Sequence, residues 1–250
     1  MSESNPVSEM RDHYDRHLAP LYTWMVGDVD EALNRSRAAL LDLGLKSEAG
    51  ATAIDLGCGF GLQSIPLADL GYDVVGIDFS EELLAELERR RGGRRIRGVR
   101  ADLREFASLV AASVELVVCM GDTLTHLPDL ESVDRLVVAI ASILRPGGRL
   151  LLSFRDYCSV ELQGTQRFIP VRSDADRIFT CVLEYGPGRM TVTDLVHERT
   201  ETGWRQRASS YPKLRLAPDW LVQRLETSGL SMVSRKSERG LVTLLAQKPA

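Results

Sequence analysis

The sequence has no long apolar stretch and few cysteines. No apolar run approaches the ~20 residues that a membrane-spanning helix needs, and the first segment, MSESNPVSEM, is polar, unlike a signal peptide. The four cysteines lie far apart, with no CxxC pair and no Cys/His cluster, which argues against a zinc site or a disulfide framework. We therefore expect no membrane association, no metal, reduced thiols and a cytoplasmic location.

The charge balance is close to neutral. Lysine and arginine number 31 against 35 acidic residues, a formal net charge of −4, so the chain as a whole has no electrostatic attraction for nucleic acid. Hydrophobic residues make up 44% and charged residues 26%, which excludes a disordered, collagen-like or lone coiled-coil chain. The 250 residues fit either one large domain or a domain with a substantial addition.

From Thr52 onward, short apolar runs alternate with helical patterns, whereas residues 12–43 carry a helical pattern that ends at Gly44. Strands that alternate with helices predict βαβ units and a parallel sheet. Ser80 is typical of the residue that caps the start of a helix. The predicted strands are Ala53–Leu56, Val74–Ile77, Ile96–Val99, Leu116–Met120 and Leu150–Phe154, and the helices are Leu62–Leu70, Glu81–Arg90, Leu103–Ala111 and Val133–Leu144.

After Phe154 the alternation stops and an antiparallel pattern begins. The runs Ile178–Tyr185 and Met190–Glu198 flank the turn Gly-Pro-Gly and predict a hairpin, with a third strand at Arg205–Tyr211. These strands predict a lid inserted into the main domain. A helix at Pro218–Ser228 and a final hairpin around Arg239-Gly240 complete the chain.

The strongest motif is AIDLGCGFG, from Ala53 to Gly61. An apolar strand ends in Asp55, a glycine loop follows, and a helix N-terminus with free N–H groups comes next. Asp78 ends the following strand, 21 residues after Gly57, a spacing that suits a carboxylate binding the two ribose hydroxyls of a nucleoside.

Three interpretations of the glycine loop are open. A dinucleotide-binding loop has its third glycine one residue later and holds a pyrophosphate, which the carboxylate of Asp55 would repel. A ligand with an ammonium group suits Asp55 better, and adenosine joined to an amino acid describes S-adenosylmethionine. The third interpretation is a structural turn with no ligand.

Residues 51–154 resemble the class I S-adenosylmethionine-dependent methyltransferases. The resemblance implies an α/β fold: a Rossmann-like, doubly wound, mostly parallel seven-stranded sheet. Residues 1–50 are then a helical cap, and residues 51–250 the methyltransferase domain with a β lid at about 157–216. The resemblance implies a cofactor site formed by Asp55, Gly57, Gly59, Gly61, Asp78, Phe79, Asp102, Leu103 and Gly121. To these we add Met120 as a contact of the nucleoside.

A narrower resemblance links the chain to glycine and sarcosine N-methyltransferases. It lies in the segments WMVGD (Trp24 to Asp28), VVCMGDTLTHLPD (Val117 to Asp129), FRDY (Phe154 to Tyr157) and SSYPK (Ser209 to Lys213). It implies that Arg155 binds the carboxylate of the acceptor. Asp122 stands where those enzymes have asparagine, and both Arg35 and Arg37 fit the register of their cofactor-binding arginine.

The remaining candidates have two interpretations each. Asp122 orients or deprotonates an acceptor ammonium, or it is a turn residue. His126 contacts the acceptor or starts a helix, and Tyr211 lies in the acceptor pocket or the core. Tyr14, Tyr22 and Trp24 close over the cofactor sulfonium by cation–π attraction, or they pack in an amphipathic helix. The family resemblance favours Tyr14 and Trp24 for the cofactor role. For His13 and His17 an exposed helix face is favoured.

The predicted function is S-adenosylmethionine-dependent methylation of a small molecule, in first place N-methylation of an amino acid or another carboxylate-bearing amine. The product would be S-adenosylhomocysteine. An O-methyltransferase is the first alternative, and an RNA methyltransferase that uses the eight arginines between Arg89 and Arg104 is the second. A nucleotide-binding oxidoreductase or a non-catalytic cofactor-binding module is the third. A homo-oligomer is left open.

Overall fold

The computed structural model describes residue 13 and residues 17–47, 50–110 and 113–250. Its main sheet has seven strands in the order β10-β11-β5-β4-β1-β2-β3. Strands β1 to β5 run parallel, whereas β11 is antiparallel to both β5 and β10. The strands are β1 Thr52–Leu56, β2 Asp73–Asp78, β3 Ile96–Arg100, β4 Val114–Cys119, β5 Leu144–Arg155, β10 Ser231–Glu238 and β11 Leu241–Gln247.

Helices cover both faces of this sheet. The helices are α1 Ala19–Val26, α2 Val29–Asp42, α3 Ser64–Asp69, α4 Glu81–Arg91, α5 Leu130–Ile143 and α6 Pro218–Thr227, and short 3-10 helices span Leu103–Ser108, Thr123–His126 and Gly164–Arg167. One core lies under α5 and α6 and the other under α2, α3 and α4. The predicted fold class is confirmed.

Local sequence signals explain most helix starts. Ser80 caps α4 by accepting a hydrogen bond from the backbone N–H of Leu83, as predicted. Asp129 accepts the N–H of Ser132 at 2.7 Å in the same way and starts α5. The predicted helix at 103–111 is wrong in type, because residues 103–108 form a 3-10 helix.

The single helix predicted over residues 12–43 is also wrong. It is broken at Gly27, whose φ of +92° is a left-handed value. Asp28 then starts α2, because its carboxylate accepts the backbone N–H of Glu31 at 2.9 Å. The chain therefore turns between two shorter helices.

The lid is a separate four-stranded antiparallel sheet in the order β6-β7-β8-β9. The predicted hairpin is confirmed, with Tyr185 opposite Met190. The third predicted strand is longer, and β6 was not predicted because its side chains are mostly exposed and do not alternate in polarity. The strands are β6 Phe168–Ser173, β7 Arg177–Tyr185, β8 Arg189–Thr200 and β9 Gly203–Leu214.

Helix α1 lies between the lid and the main domain. Leu18, at its N-cap, and Leu21 pack on Phe179 and Val196 of the lid. Its other face packs Ala19 on Phe60 and Leu83, beside the glycine loop. Within the described residues, no helix is long and apolar enough to cross a membrane.

Candidate functional site

A cavity lies where the strands β1, β2 and β4 end. In open α/β sheets, ligands bind at the edge formed by the carboxyl ends of the strands. The cavity is closed from above by α1 and bordered by the turns that follow β3 and β4. Its lining residues are Tyr22, Gly57, Gly59, Ile77, Asp78, Phe79, Leu83, Ala101, Asp102, Leu103, Arg104, Met120, Gly121, Thr123, His126, Leu127 and Pro128.

Asp78 is a fixed negative charge in the cavity wall. Its Oδ2 accepts the backbone N–H of Gly59 at 2.8 Å, and its Oδ1 accepts that of Ser80 at 2.9 Å. The side chain thus ties the glycine loop after β1 to the start of α4. A carboxylate held by two backbone donors keeps its orientation without a rearrangement when a ligand arrives.

Glycines let the backbone reach the cavity. Gly57, Gly59 and Gly121 have φ values of +75°, +53° and +72°. A Cβ built on Gly121 would have no heavy atom of the described residues within 4 Å, so a side chain there would enter open space in the cavity. A side chain at position 121 would therefore take up room in the cavity.

Asp55 and Gly61 do not line the cavity. The carboxylate of Asp55 is buried and accepts a hydrogen bond from the Ser64 hydroxyl at 2.6 Å. Burial, followed by the negative charge of Asp78, raises the pKa of Asp55 to about 7. A Cβ on Gly61 would lie 2.5 Å from Leu87 Cδ1, so this glycine lets the loop pack on α4.

Asp102 lies at the end of the cavity that follows β3. Arg104 holds its carboxylate through two side-chain hydrogen bonds of 2.9 and 2.6 Å, and its own backbone N–H donates a third. Leu103, Ala101 and Phe79 add apolar surface to the same wall. This end can hold a flat ring with polar edges.

Tyr22 is the cavity residue that sequence reasoning passed over in favour of Trp24. Burial, together with the charges of Asp78 and Asp122, raises the pKa of Tyr22 to about 12. Trp24 instead lies against the lid, where its Nε1 donates to Asp174 at 2.5 Å and its ring lies between Arg172 and Arg177. Side chains that are two positions apart on a helix point to different sides of it. Tyr14 lies outside the described residues.

Asp122 follows β4 and is buried, with a left-handed φ of +76°. Its Oδ1 accepts the backbone N–H of Arg155 at 2.9 Å. Its Oδ2 accepts the hydroxyl of Tyr157 at 2.9 Å and the ammonium of Lys213, which sequence reasoning did not single out. The carboxylate therefore joins the end of β5 to lid strand β9.

His126 lines the cavity as a neutral imidazole. Its ring stacks on Tyr211 with centroids 5.5 Å apart. Burial, followed by the positive charges of Lys213 and His13, holds the pKa of His126 well below its usual range. Tyr211 thus lies behind His126 without lining the cavity itself, and its role in the acceptor pocket stays a prediction.

His13 and His17 are buried, so the exposed helix face favoured for them is wrong. The Nδ1 of His13 lies 2.8 Å from the Ser209 hydroxyl, and its Nε2 lies 3.1 Å from Asp194 Oδ2. The ring of His13 packs 4.1 Å from that of Tyr211. This contact ties the N-terminal segment to the lid.

Arg155 ends β5 with an exposed side chain that does not line the cavity. Its positive charge acts on the Tyr157 hydroxyl and the Cys181 thiol, so the guanidinium lies on the lid side of the site.

The family comparison decides what this site belongs to. Residues 53–148 match the family model described as a methyltransferase domain. This stretch runs from β1 into the start of β5 and contains the glycine loop, Asp78 and Asp122. Over residues 53–148 the chain is therefore similar to methyltransferase domains. The predicted family resemblance is confirmed.

Curated relatives of the methyltransferase domain divide into two groups. The chain is 38% identical over 107 residues to a ubiquinone biosynthesis O-methyltransferase of Aromatoleum aromaticum, covering 42% of this chain and 44% of that protein. It is 30% identical over 160 residues to glycine N-methyltransferase of Mus musculus, covering 58% and 54%. The matches thus span about half the length of these relatives.

Solved structures resemble nearly the whole chain in fold. The CcbJ methyltransferase from Streptomyces caelestis has a TM-score of 0.72 at 21% identity, covering 87% of this chain and 96% of that one. The sugar N-methyltransferase KedS8 from Streptoalloteichus has a TM-score of 0.71 at 16% identity, covering 92% of both. At such identities the likeness shows the fold.

The arginine run of the methyltransferase domain is paired with acids. All but Arg97 form ion pairs with carboxylates, and Arg97 donates to the backbone carbonyl of Leu109. The pairs are Arg89 and Arg90 with Glu86, Arg91 with Glu88, Arg94 with Asp69, Arg95 with Asp73, Arg100 with Glu81 and Arg104 with Asp102. This surface presents little uncompensated positive charge.

Proposed function

We propose that the protein is an S-adenosylmethionine-dependent methyltransferase that acts on a small molecule. The observation that carries the proposal is the Asp78 carboxylate, fixed by two backbone N–H groups beside a glycine loop at the ends of β1 and β2. A nucleoside binds there through its ribose hydroxyls. The matched methyltransferase domain contains every one of these groups.

The lining residues fit the parts of this cofactor. Asp78 would hold the ribose, Leu103 and Asp102 the adenine, and the backbone of Gly57 and Gly59 the methionine portion. Tyr22 would cover the cofactor from α1. When bound, the cofactor would supply a methyl group on a positively charged sulfur, and an acceptor that took this methyl group would release one proton to solvent. The chain itself aligns the acceptor and excludes water.

Enclosure supports a small acceptor. Helix α1 and the lid both pack over the cavity edge, and His13, Tyr211 and His126 form a continuous stack between them. The paired arginine run removes the main support for an RNA acceptor. The division into a cap (1–50) and a domain with a lid belongs to the same proposal.

We infer that the acceptor is a carboxylate-bearing amine. Support comes from the exposed cation of Arg155 on the lid side and from the 160-residue match to glycine N-methyltransferase. An O-methyltransferase is the second candidate, favoured by the 38% identity to the ubiquinone O-methyltransferase. Arg155 would bind an acidic acceptor of either kind.

Titration calorimetry with S-adenosylmethionine and with NAD tests the proposed function. We expect binding of S-adenosylmethionine and none of NAD. A panel of amino acids, amines and phenols, incubated with isotope-labelled cofactor, should contain one compound that gains the mass of a methyl group. Binding of NAD without S-adenosylmethionine would contradict the proposal.

Arg155→Met should raise the KM of a carboxylate-bearing acceptor about 10- to 100-fold, because a charge-assisted hydrogen bond is lost. The cofactor Kd should not change, since the side chain lies outside the cavity and its backbone N–H still reaches Asp122. Steady-state kinetics and calorimetry give the two values. Arg167→Met, on an exposed turn of the lid segment, is the matched control. An equal rise in KM in that control, or a weaker cofactor affinity in Arg155→Met, would contradict the proposed role of Arg155.

A further inference from the structure

Lys213 brings a buried ammonium to the acceptor side of the site. It lies near the end of lid strand β9, opposite Met190, and its side chain is 10% exposed. Its Nζ forms an ion pair with Asp122, whose side chain is 8% exposed. Two charges are removed from water here, which is costly unless they satisfy each other.

Aromatic faces complete the surroundings of this ammonium. Nζ lies 5.9 Å from the ring centre of Tyr157 and 5.7 Å from that of Tyr211, within reach of cation–π attraction. The Tyr157 hydroxyl donates to the same carboxylate oxygen. A carboxylate beside two aromatic rings is also the chemistry that would bind an alkylammonium acceptor, and the ammonium of Lys213 fills that position.

We propose that Lys213 is a positioning residue that occupies this ammonium site, so that the reacting atom of the acceptor enters beside His126 and Tyr211 uncharged, as a free amine or a hydroxyl. The proposal rests on the proposed function and deepens it, because it selects the charge state of the substrate. A protonated amine has no lone pair to attack a methyl group. Excluding it from the Asp122 carboxylate keeps unreactive acceptors out.

The charged and titratable groups around His126 favour this selection. Lys213 and Tyr211 face it from β9, and His13 faces it from the N-terminal segment. Asp122, in the turn after β4, pairs with Lys213. Beyond them, Tyr157 and Arg155 lie at the end of β5 and Asp194 pairs with His13. Lys213 already compensates the Asp122 carboxylate, so a second ammonium would meet no uncompensated charge on that side chain.

The first test follows the imidazole of His126 by NMR, assigned with His126→Asn, in the cofactor-free protein. We expect Lys213→Met to raise the titration midpoint of His126 by about one pH unit, because it removes a cation and leaves Asp122 uncompensated. Lys213→Arg should match the wild type. The double variant D122N/K213M leaves no buried unpaired charge, and its His126 midpoint should lie between those of the wild type and K213M. This variant keeps the test usable if K213M does not fold.

Lys236→Met, on exposed strand β10, is the control and should leave the midpoint unchanged. The proposal would be overturned if the His126 midpoint were identical in the wild type and D122N/K213M and did not rise in a folded K213M. A merely structural role of Lys213 would change the melting temperature without moving this titration in the stated order.

The second test restores the ammonium from solution. In Lys213→Ala, n-propylammonium has the length of the missing side chain, so it should bind and return the His126 midpoint to the wild-type value. Uncharged n-propanol, of the same size, should do neither. Binding of n-propylammonium to the wild type as tightly as to Lys213→Ala would show that the site is open to ammonium ions, contrary to the proposal.

The third test uses turnover and separates this inference from the proposed function. With an amine found in the methylation panel, kcat/KM of the wild type should rise with pH as the free amine forms. A fall in kcat/KM over that range would overturn the proposal while leaving the methyltransferase function intact. Failure of the wild type to bind S-adenosylmethionine would overturn the function, whatever the His126 titration shows.

Discussion

Asp78→Asn is expected to weaken binding of S-adenosylmethionine and of S-adenosylhomocysteine about 100-fold. Asparagine has nearly the shape of aspartate but carries only one acceptor oxygen, whereas Asp78 accepts backbone N–H groups with both. In the variant, an NH2 group faces either Gly59 or Ser80. The glycine loop thus loses its fixed position, and the cofactor loses a charged acceptor for its ribose. Calorimetry with both ligands measures the loss.

Asp73→Asn is the matched control for this variant. Asp73 starts the same strand β2 that Asp78 ends, but it faces solvent in an ion pair with Arg95. Exposed ion pairs contribute little, so cofactor affinity should change less than about twofold. Equal losses in the two variants would mean a general effect on the strand, and unchanged affinity in Asp78→Asn would place the nucleoside elsewhere.

The main sheet could be predicted because its signals are local. Apolar runs separated by helical patterns, the Ser80 cap and the Gly-Pro-Gly turn each lie within a few residues. The break between α1 and α2 was also readable: Asp28 followed three residues later by Glu31 is the spacing of a helix cap. The predicted helix ran through it because residues 12–43 as a whole fit a helical pattern.

The acceptor side could not be predicted in the same way. The contact of Lys213 with Asp122 joins residues 91 positions apart, and that of His13 with Ser209 joins residues 196 apart. Neither pair has a local pattern, because each forms only when the lid and the N-terminal segment fold over the sheet. Tyr22 and Trp24 are equally aromatic in sequence, and only the rotation of α1 decides that Tyr22 faces the cavity.

Gly121→Leu is expected to abolish measurable cofactor binding, a loss of more than about 100-fold. Gly121 borders the cavity with a φ of +72°, and a Cβ there would meet no heavy atom of the described residues within 4 Å. A leucine side chain would therefore project into the space that the cofactor needs. Its left-handed backbone would also cost about 1 kcal/mol of stability.

The strain and the blockage can be separated with Gly188→Leu. Gly188 has nearly the same φ, +68°, and equally open surroundings among the described residues, but it lies in the β7–β8 turn of the lid, away from the cavity. The melting temperature, measured by circular dichroism, should therefore fall by a similar amount in both variants. Only Gly121→Leu should lose its affinity for S-adenosylmethionine, measured by calorimetry. Cofactor binding that survives in Gly121→Leu would place the ligand away from the β4 turn. A loss in both variants would trace the effect to the strained backbone that they share rather than to the filled cavity.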